Sequence, residues 1–127
     1  MSCLFDSLSR FVEAEDINGI SLRTIICNYL STNPSLLLDT EDLRTIIFIE
    51  TGLEVDAYIN QMRKQSTFGG AIEIRAFTKI FKLNVCVKSV PNNKRIEFIE
   101  NPQYRWCVLV WTGNHYDASD EQLIVID

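Results

Sequence analysis

A chain of 127 residues, 46% hydrophobic and 23% charged, has the material for one compact globular domain and excludes a disordered tail or a collagen-like repeat. Twelve basic residues against seventeen acidic ones give a net charge of −5, so the concentrated basic face that phosphate binding needs is missing and no nucleic-acid partner is expected. The longest apolar run, Trp106–Trp111, falls far short of the roughly 20 residues of a membrane helix, and no basic-then-apolar leader opens the chain; a soluble protein with no membrane partner is expected.

Residues 3–15 carry Leu4, Phe5, Leu8, Phe11 and Val12 at helical spacing, which predicts an amphipathic helix. Residues 16–19 break it, with Gly19 expected in a left-handed cap. Ser21 is expected to cap a second helix whose stripe is Leu22, Ile25, Ile26, Tyr29 and Leu30, and Asn33-Pro34 to end it. A third helix over residues 41–50, capped by Asp39 or Thr40, directs Leu43, Ile46, Ile47 and Ile49 inward. A fourth over residues 55–64 uses Val55, Tyr58, Ile59 and Met62. Phe68-Gly69-Gly70 then leads into the strongest helical pattern, with Ile72, Ala76, Phe77, Ile80 and Phe81 on one stripe.

Past Lys82 the period changes to two. Residues 84–90 read as a strand, Pro91-Asn92-Asn93-Lys94 as a turn, and residues 95–99, 106–111 and 122–126 as three further strands. Thr112-Gly113-Asn114 is a tight connection. Helices first and mainly antiparallel strands later predict an α+β fold, a small central sheet flanked by helices, in one domain spanning residues 1–127.

His115, the single histidine, follows Gly113-Asn114 at the end of a hydrophobic strand, where it emerges at the rim of a sheet. Asp117 points to the same side if the segment is extended, and a carboxylate so placed holds an imidazole in one tautomer. Taken alone, an exposed turn histidine with an unrelated neighbour is the favoured alternative. Cys3 immediately precedes an amphipathic helix, an environment that stabilises a thiolate; a terminal thiol without a role is its alternative. Cys27, Cys86 and Cys107 sit among hydrophobes and read as core. Four scattered cysteines without a CxxC pair, beside one histidine, predict neither a zinc site nor any cofactor, and fit free thiols in a reducing, cytoplasmic setting. Cys3, His115 and Asp117 form a legitimate nucleophile, base and orienting group, though spacing alone carries it weakly.

Ser2-Cys3-Leu4-Phe5-Asp6-Ser7-Leu8-Ser9 resembles the nucleophile motif of the OTU (ovarian tumour) family of cysteine proteases, where Asp-Gly-Asn-Cys-Leu-Phe is typical. Leu22-Arg23 and Tyr29-Leu30 are similar to the family's second helix, and Phe68-Gly69-Gly70-Ala71-Ile72-Glu73 to its Trp-Gly-Gly-x-x-Glu segment. Ala76 and Phe81 continue that helix, Asn84-Val85-Cys86-Val87 fits the strand after it, and Asn114-His115-Tyr116-Asp117 is similar to the histidine motif. The order and spacing of the pieces, from residue 2 to about residue 117, make the signal specific.

The resemblance implies a papain-type fold and a deubiquitinase that cleaves the peptide or isopeptide bond after the C-terminal glycine of ubiquitin or a ubiquitin-like protein. Carried over by position, Cys3 is the nucleophile, His115 the general base and then acid, and Asp117 the orienting carboxylate. The backbone N–H groups of Ser2 and Cys3 would form the oxyanion hole. A di-glycine substrate end needs a narrow channel, for which Phe68, Gly69, Gly70, Asn114 and Tyr116 are the expected walls; Trp111 is expected to be core instead. The partner is then ubiquitin or its conjugates and the protein a monomer, with a length similar to the minimal viral forms. Two departures stand out: the family's aspartate before the cysteine would precede Met1, with Ser2 in place of the usual asparagine, and Phe68 replaces tryptophan. They leave two other functions open, an OTU-like domain that binds ubiquitin without cleaving it and an endopeptidase that processes its own polyprotein.

Overall fold

A computed structural model describes residues 3–38 and 40–120; Ser2, Asp39 and the strand expected at residues 122–126 lie outside them. In chain order the elements are α1 (Cys3–Ser9), α2 (Gly19–Thr32), β1 (Leu37–Leu38), β2 (Glu41–Asp42), α3 (Leu43–Thr51), α4 (Val55–Met62), α5 (Ala71–Phe81), β3 (Asn84–Ser89), β4 (Lys94–Phe98), β5 (Trp106–Trp111) and β6 (Tyr116–Ser119). The α+β expectation holds.

α1 is shorter than its apolar spacing predicts. Beyond Ser9 the backbone tightens to i→i−3 bonds, Phe11 N–H to Leu8 at 3.1 Å and Val12 N–H to Ser9 at 3.2 Å. The Phe11 carbonyl accepts from the Arg105 guanidinium at 3.1 Å, a partner 94 residues away that no local pattern reveals. α2 begins two residues before Ser21. Asn18 is the cap, accepting from the Ser21 amide at 2.9 Å, while Asn18 N–H donates back to Ser21 Oγ at 2.8 Å, a reciprocal capping box. Gly19 is therefore the first helical residue and not a left-handed cap; a Cβ there would fall 1.8 Å from Asp6 Oδ1, so it lets α2 approach α1. Its buried stripe is Leu22, Arg23, Ile26, Cys27 and Leu30, turned from the expected one so that Ile25 and Tyr29 are half-buried. α3 is capped by Asp42, whose carboxylate accepts from Thr45 N–H at 2.8 Å, in place of Asp39 or Thr40. Ile49, expected inward, is 73% exposed.

The main sheet has strand order β4-β3-β5-β6. β3 with β4 is antiparallel, as expected, and so is β5 with β6, a strand the alternation pattern did not announce, whereas the central β3–β5 pair is parallel, in register from Asn84↔Trp106 to Ser89↔Trp111. Parallel neighbours need a long crossover, supplied here by β4 and the loop after it. Asn84, fully buried, organises that loop: its amide donates to the Asn101 carbonyl at 2.8 Å and that of Tyr104 at 3.1 Å, and its oxygen accepts from Glu100 N–H at 2.8 Å. The strand expected at residues 95–99 runs one residue earlier, as an exposed edge rich in charge. One apolar core joins Leu4, Phe5 and Leu8 of α1 to Ile26 and Leu30 of α2, Phe77 of α5 and Val85, Cys107 and Leu109 of the sheet. α1 is thereby held beside β6, which brings the first described residues next to the last.

Candidate active site

Cys3 opens α1 and, alone among the four free cysteines, is not buried. Burial pushes the Cys27 thiol up to about 11 and the Cys107 thiol up to about 12, so neither supplies a thiolate near neutral pH. Cys3 lines a groove of about 440 Å³ whose other walls are Phe68 and Gly69 before α5 and Trp111, Gly113, Asn114 and Tyr116 of the β5–β6 hairpin. The hairpin register, Trp111↔Tyr116 and Val110↔Asp117, together with Thr112 N–H donating to the His115 carbonyl at 3.0 Å, fixes His115 between two groove-lining neighbours.

The His115 ring lies 3.0 Å through Nε2 from Asp117 Oδ1, with the side chains 47% and 64% exposed. A carboxylate only accepts, so the neutral ring carries its proton on Nε2 and keeps a lone pair on Nδ1. His115 directly precedes β6, which carries Asp117, and along an extended segment residues two apart lie on one face. Burial raises the Tyr116 phenol above its ordinary value, and negative charge at Cys3 and Glu73 adds to the shift.

Of the expected channel residues, Phe68, Gly69, Asn114 and Tyr116 line this groove. Gly70 lines a neighbouring cavity of about 560 Å³ that shares Phe68 and Gly69 with it. Trp111 does both jobs, half-buried against the core and facing the groove. Gly113, absent from the expected set, has φ of 112°, a conformation that side chains rarely adopt. A Cβ on Gly69 would meet Leu4 Cδ2 at 2.8 Å and Phe5 Cε2 at 3.0 Å, so glycine is what allows this wall to lie on α1 directly after Cys3. A Cβ on Gly70 would meet nothing within 4 Å.

Two buried polar groups hold the wall. Arg23, 2% exposed, donates to the carbonyls of Met62 at 2.7 Å and Thr67 at 2.9 Å and stacks 4.3 Å over the Phe5 ring. Glu73, 1% exposed, accepts from Gly70 N–H at 2.7 Å and from the Tyr58 hydroxyl at 2.5 Å. Burial pushes its carboxyl up to about 7, against the pull of those hydrogen bonds. The Glu73 contact was readable as a capping-box acid three residues into a helix. Arg23 carried a fainter signal, a charge on an otherwise apolar stripe. Among the described residues, no group of three or more His, Cys, Asp or Glu could hold a metal ion, and no helix is long and apolar enough to cross a membrane.

Cys3 thus opens a helix and shares one groove with Asn114 and Tyr116, the residues on either side of the histidine that is paired with Asp117. The family model of OTU-like cysteine proteases matches residues 2–116, and the chain belongs to that family. It is 26% identical over 125 residues to the ubiquitin thioesterase OTU1 of Xenopus laevis, covering 95% of this chain and 38% of that relative's length. Among solved structures, an ovarian tumour domain in complex with ubiquitin superposes with a TM-score of 0.72 at 20% identity, over 92% of this chain and 62% of that one. The Hazara virus OTU bound to ubiquitin matches with a TM-score of 0.70 at 16% identity, over 98% of this chain and 77% of that one.

Proposed function

We propose that this protein is a thiol-dependent ubiquitinyl hydrolase, cleaving the bond after the C-terminal glycine of ubiquitin or a ubiquitin-like protein. The observation that carries the reading is the groove that holds Cys3 and the residues flanking His115, with glycine at both Gly69 and Gly113 of its walls. Such a groove suits a substrate end without side chains. The name of the Xenopus laevis relative, a ubiquitin thioesterase, supports the same substrate.

In this reading His115 takes the Cys3 proton on Nδ1, and the imidazolium is held by Asp117. Cys3 Sγ adds to the glycine carbonyl carbon, and backbone N–H groups at Cys3 and Ser2 stabilise the oxyanion. The C–N bond breaks as His115 returns the proton to the leaving amine, leaving a thioester on Cys3. Water, deprotonated by His115, then displaces the thiol and frees the carboxylate. Catalysis by a thiolate suits the reducing cytoplasm, where we place the protein as a monomer.

The test is reaction with ubiquitin carrying a thiol-reactive electrophile at its C-terminus, read by intact mass, beside Cys3→Ala. A single adduct that vanishes in the variant is expected. A folded protein that binds ubiquitin and forms no adduct would leave it a binding domain. Cleavage of a non-ubiquitin junction in its place would make it a polyprotein-processing endopeptidase.

A further inference from the structure

Cys3 and His115 lie at opposite ends of the sequence, and a base 112 positions away is useful only if α1 and the β5–β6 hairpin hold a fixed distance. α1 has only 7 residues, too few to be stable or well oriented by its own backbone bonds. Ser7 is 5% exposed on α1, one helical turn after Cys3 and so on the same face. Its hydroxyl donates to the carbonyl of Tyr116 at 3.0 Å, across 109 positions of sequence. Tyr116 stands between His115 and Asp117.

We propose that Ser7 is a positioning residue: its hydrogen bond to the Tyr116 carbonyl locks the nucleophile's helix to the strand that carries Asp117 and directly follows His115. The proposal rests on the catalytic reading of Cys3 and His115 and goes beyond it. Nothing in the reaction consumes the Ser7 hydroxyl. It acts by setting the approach of Sγ to the imidazole, the kind of remote alignment whose loss can cost about a hundredfold in rate. Ser9 provides a matched control, because its hydroxyl donates within α1 to the Asp6 carbonyl at 2.7 Å and reaches no strand.

The experiment compares wild type, Ser7→Ala, Ser7→Thr and Ser9→Ala. One readout is hydrolysis of a fluorogenic ubiquitin C-terminal amide. The other is the rate of Cys3 alkylation by iodoacetamide at neutral pH, resolved by peptide mass. Ser7→Ala should lower kcat by roughly ten- to a hundredfold with KM within about twofold. Its Cys3 should also react more slowly, as the imidazole is no longer held against Sγ. Ser7→Thr, which keeps the hydroxyl, should recover most of the loss, and Ser9→Ala should match wild type. Should Ser7→Ala fail to fold, Ser7→Cys, nearly isosteric but a weaker donor, is expected to show the same drop in kcat. A wild-type alkylation rate left unchanged by Ser7→Ala, with kcat intact, or an equal loss in Ser9→Ala, overturns the proposal alone. A wild-type Cys3 that alkylates as an isolated thiol fails the catalytic pairing itself, and the proposal with it.

Discussion

Glu73 meets the fold as a carboxyl group enclosed by protein, given one hydrogen bond by Tyr58 and another by the Gly70 amide. Those two donors favour the carboxylate, but loss of water outweighs them, and the group titrates about 7 instead of its ordinary 4.5. A folded-state value above the unfolded one means that the folded protein holds the proton more tightly. The stabilisation is complete below 4.5 and is lost as pH rises through 7. Glu73→Gln keeps the shape and removes the charge. It should leave stability near wild type at pH 4 and exceed it at pH 8 by on the order of 2–3 kcal/mol. Urea midpoints of both proteins across that range check this, and a constant difference between them would contradict it. That a glutamate three residues after Gly70 begins a helix is legible locally. That the same carboxyl is enclosed is not, because Tyr58 reaches it from another helix.

At the scale of elements, the segment before α5 is pressed against α1 through Gly69 alone of its two glycines. Gly69→Ala drives a methyl into Leu4 and Phe5, which are 2% and 0% exposed and have nowhere to go. It should cost about 1–3 kcal/mol and, because Cys3 is next to Leu4, most of the turnover. Gly70→Ala meets open space at an extended backbone and should cost under about 1 kcal/mol with activity retained. Thermal melts and turnover of the two variants give the comparison, and equal effects would contradict it. The sequence presents the two glycines as a pair, and only the packing of α1 tells them apart. The same limit applies to α1 itself, whose apolar spacing runs on past the point where Arg105 takes the Phe11 carbonyl. It applies again at β3–β5, where alternation announces strands but not their direction. The loop that makes the parallel pairing possible is gathered by the four-fold hydrogen bonding of Asn84.

Across the whole molecule, Arg23 ties three regions together: α2, which carries it, Phe5 of α1 beneath its guanidinium, and the carbonyls of Met62 and Thr67 ahead of the groove wall. Its charge survives burial because the guanidinium loses protons only far above neutral pH, although burial lowers that point. Arg23→Ala strips buried carbonyls of a charged donor and should cost about 3 kcal/mol or more in denaturant titration. Arg23→Lys should recover less than half of that, since a single ammonium cannot serve two carbonyls and stack on a ring together. Full rescue by lysine would show that charge and not the fork matters.

The α+β class, the five helices and the strands β3, β4 and β5 were legible from residue types and their periodicity, which depend on neighbours within a few positions; the short β1–β2 pair and β6 were not, and Cys3, His115 and Asp117 were singled out by the family resemblance and not by spacing. His115 and Asp117 could be paired because a strand repeats every two residues. Setting Cys3 in one groove with Asn114 and Tyr116, choosing Gly69 over Gly70 for the wall, enclosing Glu73 and joining Ser7 to Tyr116 were decided by tertiary structure. Each of those depends on contacts between elements far apart in the chain, and such contacts leave no period in the sequence that makes them.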